Sequence, residues 1–165
     1  GEEEGREYFF KTVKEFEKMI AKDELIEYAR YVDNYYGTPR AYVEEQLETG
    51  KDVILEIEIQ GALKVKKRYP EALLLFVTPP SAEELKRRLV GRGTESIEVI
   101  NARLKRAAEE ADGMEAYDYL LINDEIDTCV EKMHQLIQLQ HEKTSYHLDF
   151  LGKMREDLYH LDERN

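Results

Sequence analysis

The 165-residue sequence has one cysteine, Cys129, which excludes an internal disulfide and a structural zinc site built on cysteines. Basic residues are also short. The 24 Lys and Arg stand against 36 Asp and Glu, for a net charge of −12 and a pI near 4.9. A surface of that sign repels nucleic acid and anionic lipid, so neither is an expected partner, and any anionic ligand needs a local basic site. No apolar run has the length of a signal peptide or membrane helix, and no repeat or low-complexity tract occurs. A reducing cytoplasm is the expected setting. The four histidines fall in the C-terminal helical stretch with no i, i+4 pair, so they are not expected to form a metal site. What remains, 42% hydrophobic and 36% charged, is the composition of one globular domain, neither collagenous, disordered nor transmembrane.

Strand-like and helix-like patterns alternate along the chain. Thr12-Val13-Lys14-Glu15 is a capping box that opens a short helix through Phe16, Met19 and Ile20. Residues 24–32 alternate as a strand, with Leu25, Glu27 and Ala29 on one face, and Asp33-Asn34-Tyr35-Tyr36-Gly37 reads as the turn that follows. Thr38-Pro39 reads as an N-cap and first-turn proline for a helix over 39–49, closed by Gly50. Residues 53–59 alternate as a strand with Glu56 and Glu58 on its polar face, ending in a turn at Gln60-Gly61. The continuous apolar run 72–77 before Pro79-Pro80 predicts a strand at the sheet centre, covered on both faces. Ser81-Ala82-Glu83-Glu84 is a second capping box, whose helix runs into the flexible Gly91-Arg92-Gly93-Thr94. A helix over about 97–112 and a strand over 117–122 follow. The chain then reads helical from Ile126 almost to its end, with Val130, Met133 and Ile137 as an apolar stripe. Strands separated by helices imply an α/β fold with a parallel sheet flanked by helices.

Positive charge is concentrated in one place. Between Lys86 and Arg106 there are seven basic residues and two acidic ones, a local net of +5 in an acidic chain. A solvated helix face explains an arbitrary basic run. Arg92 is different, because a position between two glycines in a loop supports neither helix and leaves its guanidinium able to swing onto a ligand. Arg88 lies one helical turn earlier, and arginine is the side chain whose planar fork matches phosphate oxygens. The acidic counterpart is Glu27 on one predicted strand and Glu56 and Glu58 on another. An exposed strand face is the plain account of any one of these glutamates. A carboxylate is nevertheless the right acceptor for the N1–H and N2–H₂ edge of guanine, and it opposes the acceptor N1 of adenine. Tyr35-Tyr36-Gly37-Thr38 adds hydroxyls at a helix start, where free N–H groups attract anions. Cys129 reads as a packed thiol.

These residues resemble one family, the guanylate kinases, which transfer the γ-phosphate of ATP to GMP with Mg²⁺. The matching runs are Gly1-Glu2 with Gly5-Arg6-Glu7-Tyr8, Leu25-Ile26-Glu27-Tyr28, Asn34-Tyr35-Tyr36-Gly37-Thr38 and Ile54-Leu55-Glu56-Ile57-Glu58-Ile59-Gln60-Gly61. Pro79-Pro80-Ser81, Arg88 through Thr94, Arg103 and Ile122-Asn123-Asp124 complete an ordered set that covers residues 1 to about 140. The resemblance implies the nucleoside monophosphate kinase type of fold, with a helical lid and a small GMP-binding subdomain containing β-structure. Tyr8 and Tyr36 are then similar to the tyrosines that hold the GMP phosphate, with Gly37 between Tyr36 and Thr38 in the same motif. Glu27, Thr38 and Glu58 are similar to the guanine-reading groups. Glu56 is similar to the acidic residue facing the transfer centre and the Mg²⁺ hydration shell. Arg88, Arg92 and Arg103 resemble lid arginines on the ATP phosphates, with Arg92 also beside the adenine, and Asn123 resembles an adenine-side contact. The implied organisation is a GMP-binding region over 1–40, core over 41–81, lid over 82–115, and core with a long C-terminal helix over 116–165. Protein ligands to a metal are not identified, and homo-oligomerisation is left open.

One departure is an absence. The family opens with a strand, a Gly-rich phosphate-binding loop carrying Lys and Ser/Thr, and a helix, whereas no G-x-x-x-x-G-K-[ST] occurs in this sequence. An enzyme whose N-terminal section lies outside these residues is the simplest account, and residues 1–165 alone are expected to be inactive. The alternative is a non-catalytic, guanylate-kinase-like module that binds phosphopeptides. Retained Arg88, Arg92 and Arg103 favour the enzyme, because a peptide binder has no use for lid arginines.

Overall fold

The computed structural model of the chain describes residues 3–6, 8–31, 34–91, 93 and 96–162. They fall into two units, Gly1–Leu74 and Leu75–Asn165. The first begins with α1 (Val13–Ala21), capped as its sequence predicts. Thr12 Oγ1 accepts from the Glu15 N–H at 3.3 Å, and the Glu15 carboxylate accepts from the Thr12 N–H at 2.8 Å. β1 (Leu25–Tyr31) and β2 (Asn34–Pro39) follow as an antiparallel pair. Residues 34–37, expected to be a turn, are therefore strand, while Asp33 lies outside the described residues. Asn and Gly carry turn propensity locally, but the ladder with β1 overrides it.

The register of this pair matters for the site. It moves from Leu25↔Pro39 to Glu27↔Thr38, two residues on β1 against one on β2. This bulge breaks the expected alternation, so Leu25, Ile26 and Glu27 are all buried. Gly37 is required by close approach. A Cβ there would stand 2.9 Å from the Glu27 carbonyl oxygen and 3.0 Å from both Phe16 Cζ and Tyr28 Cβ. Its absence lets Phe16 of α1 reach the strand pair, where it stacks on Tyr35 at 5.1 Å between ring centroids.

α2 (Arg40–Glu48) starts after Pro39, which is its N-cap residue and makes no side-chain cap bond. Thr38 is therefore not the helix cap. Gly50, at φ +79, takes the left-handed conformation beyond the helix end as expected. Residues 51–58 form no ladder, so the strand predicted over 53–59 is not present among the described residues. The alternation itself is real. Val53, Leu55 and Ile57 pack against a core of Ile26, Val43 and Val65, while Ile54, Glu56 and Glu58 are exposed. Ile59 opens α3 (Ile59–Arg68), which makes Gln60 and Gly61 part of a helix rather than a turn. α3 packs on β1, and its last residue, Arg68, donates to the Leu25 carbonyl at 3.0 Å and pairs with the Asp23 carboxylate.

The second unit is built on β3 (Leu75–Thr78) and β4 (Tyr119–Ile122), which pair in parallel. Their crossover holds α4 (Ala82–Gly91), α5 (Ile97–Ala111) and a 3₁₀ turn at Met114–Ala116. Ser81 Oγ accepts from the Glu84 N–H at 3.1 Å, and Ser96 begins α5 in the same way. β4 is the one ladder partner of β3 among the described residues, and Val77 is 45% exposed. The expectation of a central strand covered on both faces does not hold here, because apolarity marks a strand suited to burial without supplying what covers it. The helical stretch from Ile126 is two helices, α6 (Ile126–His141) and α7 (Leu148–Asp162), separated by a 3₁₀ turn at Thr144–Tyr146. Along α6 the inward positions are Cys129, Met133, Leu136 and Ile137, whereas Val130 is exposed. Leu121, Ile100 and Cys129 are the buried apolar residues among those described in this unit. A parallel pair joined through helices in one unit and an antiparallel pair packed with helices in the other make the chain α/β.

Candidate active site

Glu27 is the one charged residue buried among the described residues, 7% exposed. A buried carboxylate needs partners, and the strand register supplies one. Thr38, opposite Glu27 on β2, donates its Oγ1–H to Glu27 Oε1 at 2.7 Å. An ionised carboxylate only accepts, so the hydroxyl is the donor and keeps its lone pairs for another group. Glu27 and Thr38 thus present acceptors side by side. On the far side, Gly61 in the first turn of α3 lies so close that a Cβ there would be 2.9 Å from Glu27 Oε2. Tyr36, also on β2, and Tyr8 meet edge to face at 6.1 Å, both 44% exposed. Two phenol hydroxyls on accessible rings suit an anion. Glu58 is exposed at the N-cap of α3 without capping it, and Glu56 is exposed two residues earlier.

The second unit carries a guanidinium cluster. Arg88 of α4 donates Nε–H to Glu84 Oε1 at 2.5 Å, Nη1–H to the Asn123 carbonyl at 2.7 Å and Nη2–H to the Asp124 carbonyl at 3.4 Å. It thereby fastens the loop after β4 to α4. Arg87 grips the same Glu84 with Nε and Nη2 at 2.6 and 2.7 Å. Beside Arg88 is a cavity of about 170 Å³ walled by Val77, Thr78, Pro79, Leu85, Leu89 and Asn123. Asn123 extends the β3–β4 ladder by donating its N–H to the Thr78 carbonyl at 2.8 Å. Its Oδ1 is buried and accepts no hydrogen bond. Arg103 is exposed on α5. Arg92 and Thr94 lie outside the described residues.

The Arg87 and Arg88 guanidiniums bonded to Glu84 hold its carboxyl down to about 2, from an ordinary value of 4.5. A carboxyl depressed in the folded state stabilises the fold fully above its unfolded value, and that contribution is lost as pH falls through the folded value. The difference in Tm between the native protein and Glu84→Gln is therefore expected to be constant above about pH 4.5 and to shrink toward zero near pH 2. Thermal melts across that window check it, and a difference that grows with acid would contradict the pairing.

Of the residues singled out from sequence, the fold brings Glu27 to Thr38, Tyr8 to Tyr36, and Arg88 to Asn123. Glu84 and Gly61 were not anticipated. Glu84 was findable as the i, i+4 partner of Arg88. Gly61 stands in a helix, where glycine is unfavourable and so calls for a reason.

The guanylate kinase family model matches residues 1–140. The guanylate kinase of Oceanobacillus iheyensis is 51% identical over 157 residues, covering 95% of this chain and 76% of that protein. The guanylate kinase of Lactococcus lactis is 47% identical over 158 residues, covering 96% and 77%. Among solved structures, a guanylate kinase from Anaplasma phagocytophilum matches with a TM-score of 0.71 at 35% identity, covering 87% of this chain and 70% of that one. With half the residues shared across nearly its whole length, and the family's motifs in order, the chain belongs to the guanylate kinase family.

Proposed function

We propose that the chain serves the transfer of the γ-phosphate of ATP to GMP, with residues 1–40 central to binding GMP and residues 82–115 forming a lid over ATP. The observation that carries the specificity is the buried Glu27 with its Thr38 partner, an acceptor pair suited to the N1–H and N2–H₂ donors of guanine. Glu58 adds a second carboxylate to that reading, and Tyr8 and Tyr36 bind the GMP phosphate through their hydroxyls. On the donor side Asn123 Oδ1 accepts from the amino group of adenine, a role its unbonded buried oxygen supports. Arg88, Arg92 and Arg103 face the ATP phosphates, with Arg92 also beside the adenine.

In the reaction, an oxygen of the GMP phosphate attacks the γ-phosphorus while the bond to the ADP oxygen breaks in line. The protein's work is positioning and charge balance, which arginine forks supply. ATP enters as its Mg²⁺ complex, and Glu56, exposed before α3, faces the hydration shell of that ion. A reducing cytoplasm is the setting, consistent with the single thiol of Cys129. No helix among the described residues is long and apolar enough to cross a membrane.

The test is ADP release by the full-length enzyme with GMP or AMP as acceptor. GMP is expected to be preferred by about 10⁴ in kcat/KM, because adenine sets acceptor against acceptor at Glu27. Comparable use of AMP would overturn the reading. Phosphopeptide binding without any turnover would identify the non-catalytic module instead.

A further inference from the structure

Gly61 is the third residue of α3, in a conformation that any residue adopts, so the backbone does not demand glycine there. Alanine would be the better helix former. What the position does lack is space. A Cβ would stand 2.9 Å from Glu27 Oε2, 3.4 Å from Glu27 Cδ and 3.4 Å from Ile57 Cδ1. The carboxylate it would meet is enclosed at 7% exposure and tied to Thr38 on its other oxygen. Glu27 therefore stands between a hydroxyl that draws it one way and a helix whose missing side chain admits it from the other.

We propose that Gly61 is a positioning residue for acceptor specificity: the side chain it lacks is the space that seats the Glu27 carboxylate where it reads guanine. The proposal rests on Glu27 being the guanine acceptor, as argued above. A methyl group at 61 meets the end of a side chain rather than backbone, so the carboxylate gives way and the fold stands. The atom that moves is the one that carries the hydrogen bond. GMP recognition is thereby lost in preference to stability.

The experiment uses the full-length enzyme with Gly61→Ala, Glu27→Asp and the double variant. Gly61→Ala is expected to raise KM for GMP by about 10- to 100-fold, as displaced contacts do, with KM for ATP and Tm not impaired. Glu27→Asp shortens the side chain by one methylene and withdraws it from the added methyl. In the double variant the two losses are accordingly less than multiplicative. An unchanged KM for GMP, a Tm loss with equal effects on both substrates, or fully multiplicative losses would each overturn the proposal. Should Gly61→Ala fail to fold, recovery of folded protein in the double variant supports the clash with Glu27, and its failure overturns it. A native enzyme that ignores GMP would instead overturn the reading on which the proposal rests.

Discussion

Replacing Glu27 by glutamine in the full-length enzyme is expected to lower kcat/KM for GMP by about 2–3 kcal/mol, or roughly 30- to 150-fold. The reason lies in the count of acceptors. Thr38 already donates to Oε1, so the carboxylate offers its remaining lone pairs to the donor edge of the base. Glutamine keeps one oxygen and turns the other into an NH₂ that opposes either the Thr38 hydroxyl hydrogen or a guanine N–H. The charge that strengthens the surviving bond is lost as well. The substitution is nearly isosteric, so the bulge that buries residues 25–27 is retained. Steady-state kinetics with GMP as the varied substrate check the prediction, and GMP kinetics equal to those of the native enzyme would remove Glu27 from the site.

Among the arginines, Arg88→Ala and Arg92→Ala are both expected to lower kcat by about 10³-fold, the scale on which arginines stabilise phosphoryl transfer. They are expected to differ in Tm. Arg88 bonds Glu84 and two carbonyls of the loop after β4, so its removal leaves two backbone acceptors without that donor, while the Glu84 carboxylate keeps its two bonds from Arg87. Arg92 stands between Gly91 and Gly93, and its removal is expected to leave Tm unchanged. Turnover and melting measured on both variants separate the two roles. Full turnover in Arg92→Ala would exclude it from the donor side, and an unshifted Tm in Arg88→Ala would mean its three bonds add nothing to the fold.

Much of the site was legible because its residue types are chemically demanding. Seven basic residues collected in an acidic chain, with arginine between two glycines, mark a candidate anion site whatever the fold around it. The glutamates could be named as acceptors on the same grounds. Their ranking could not. Glu27, Glu56 and Glu58 look alike in sequence, yet Glu27 is enclosed while the other two are exposed. Burial comes from the bulge, which sets Glu27 against Thr38 eleven positions away, and from the packing of α3 on β1, which brings Gly61 to Glu27 from 34 positions away.

The sequence by itself determined the features whose causes are local. The Thr12 and Ser81 caps, the left-handed Gly50 and the start of α5 at Ile97 each depend on a few neighbouring residues, and each stands where the pattern placed it. It also determined which side chains of 53–57 face the core, since an extended chain alternates whether or not it is paired. The tertiary structure alone decided whether that segment became a strand, because a ladder needs a partner and no local pattern provides one. It likewise decided the role of Thr38, which has the sequence context of a helix cap and is instead drawn by strand register to Glu27. The same holds for Gly61, whose value is a space measured against a side chain 34 residues away. Local propensity acts over one turn of chain, whereas a binding site is defined by distances between elements, and those exist only once the elements have packed.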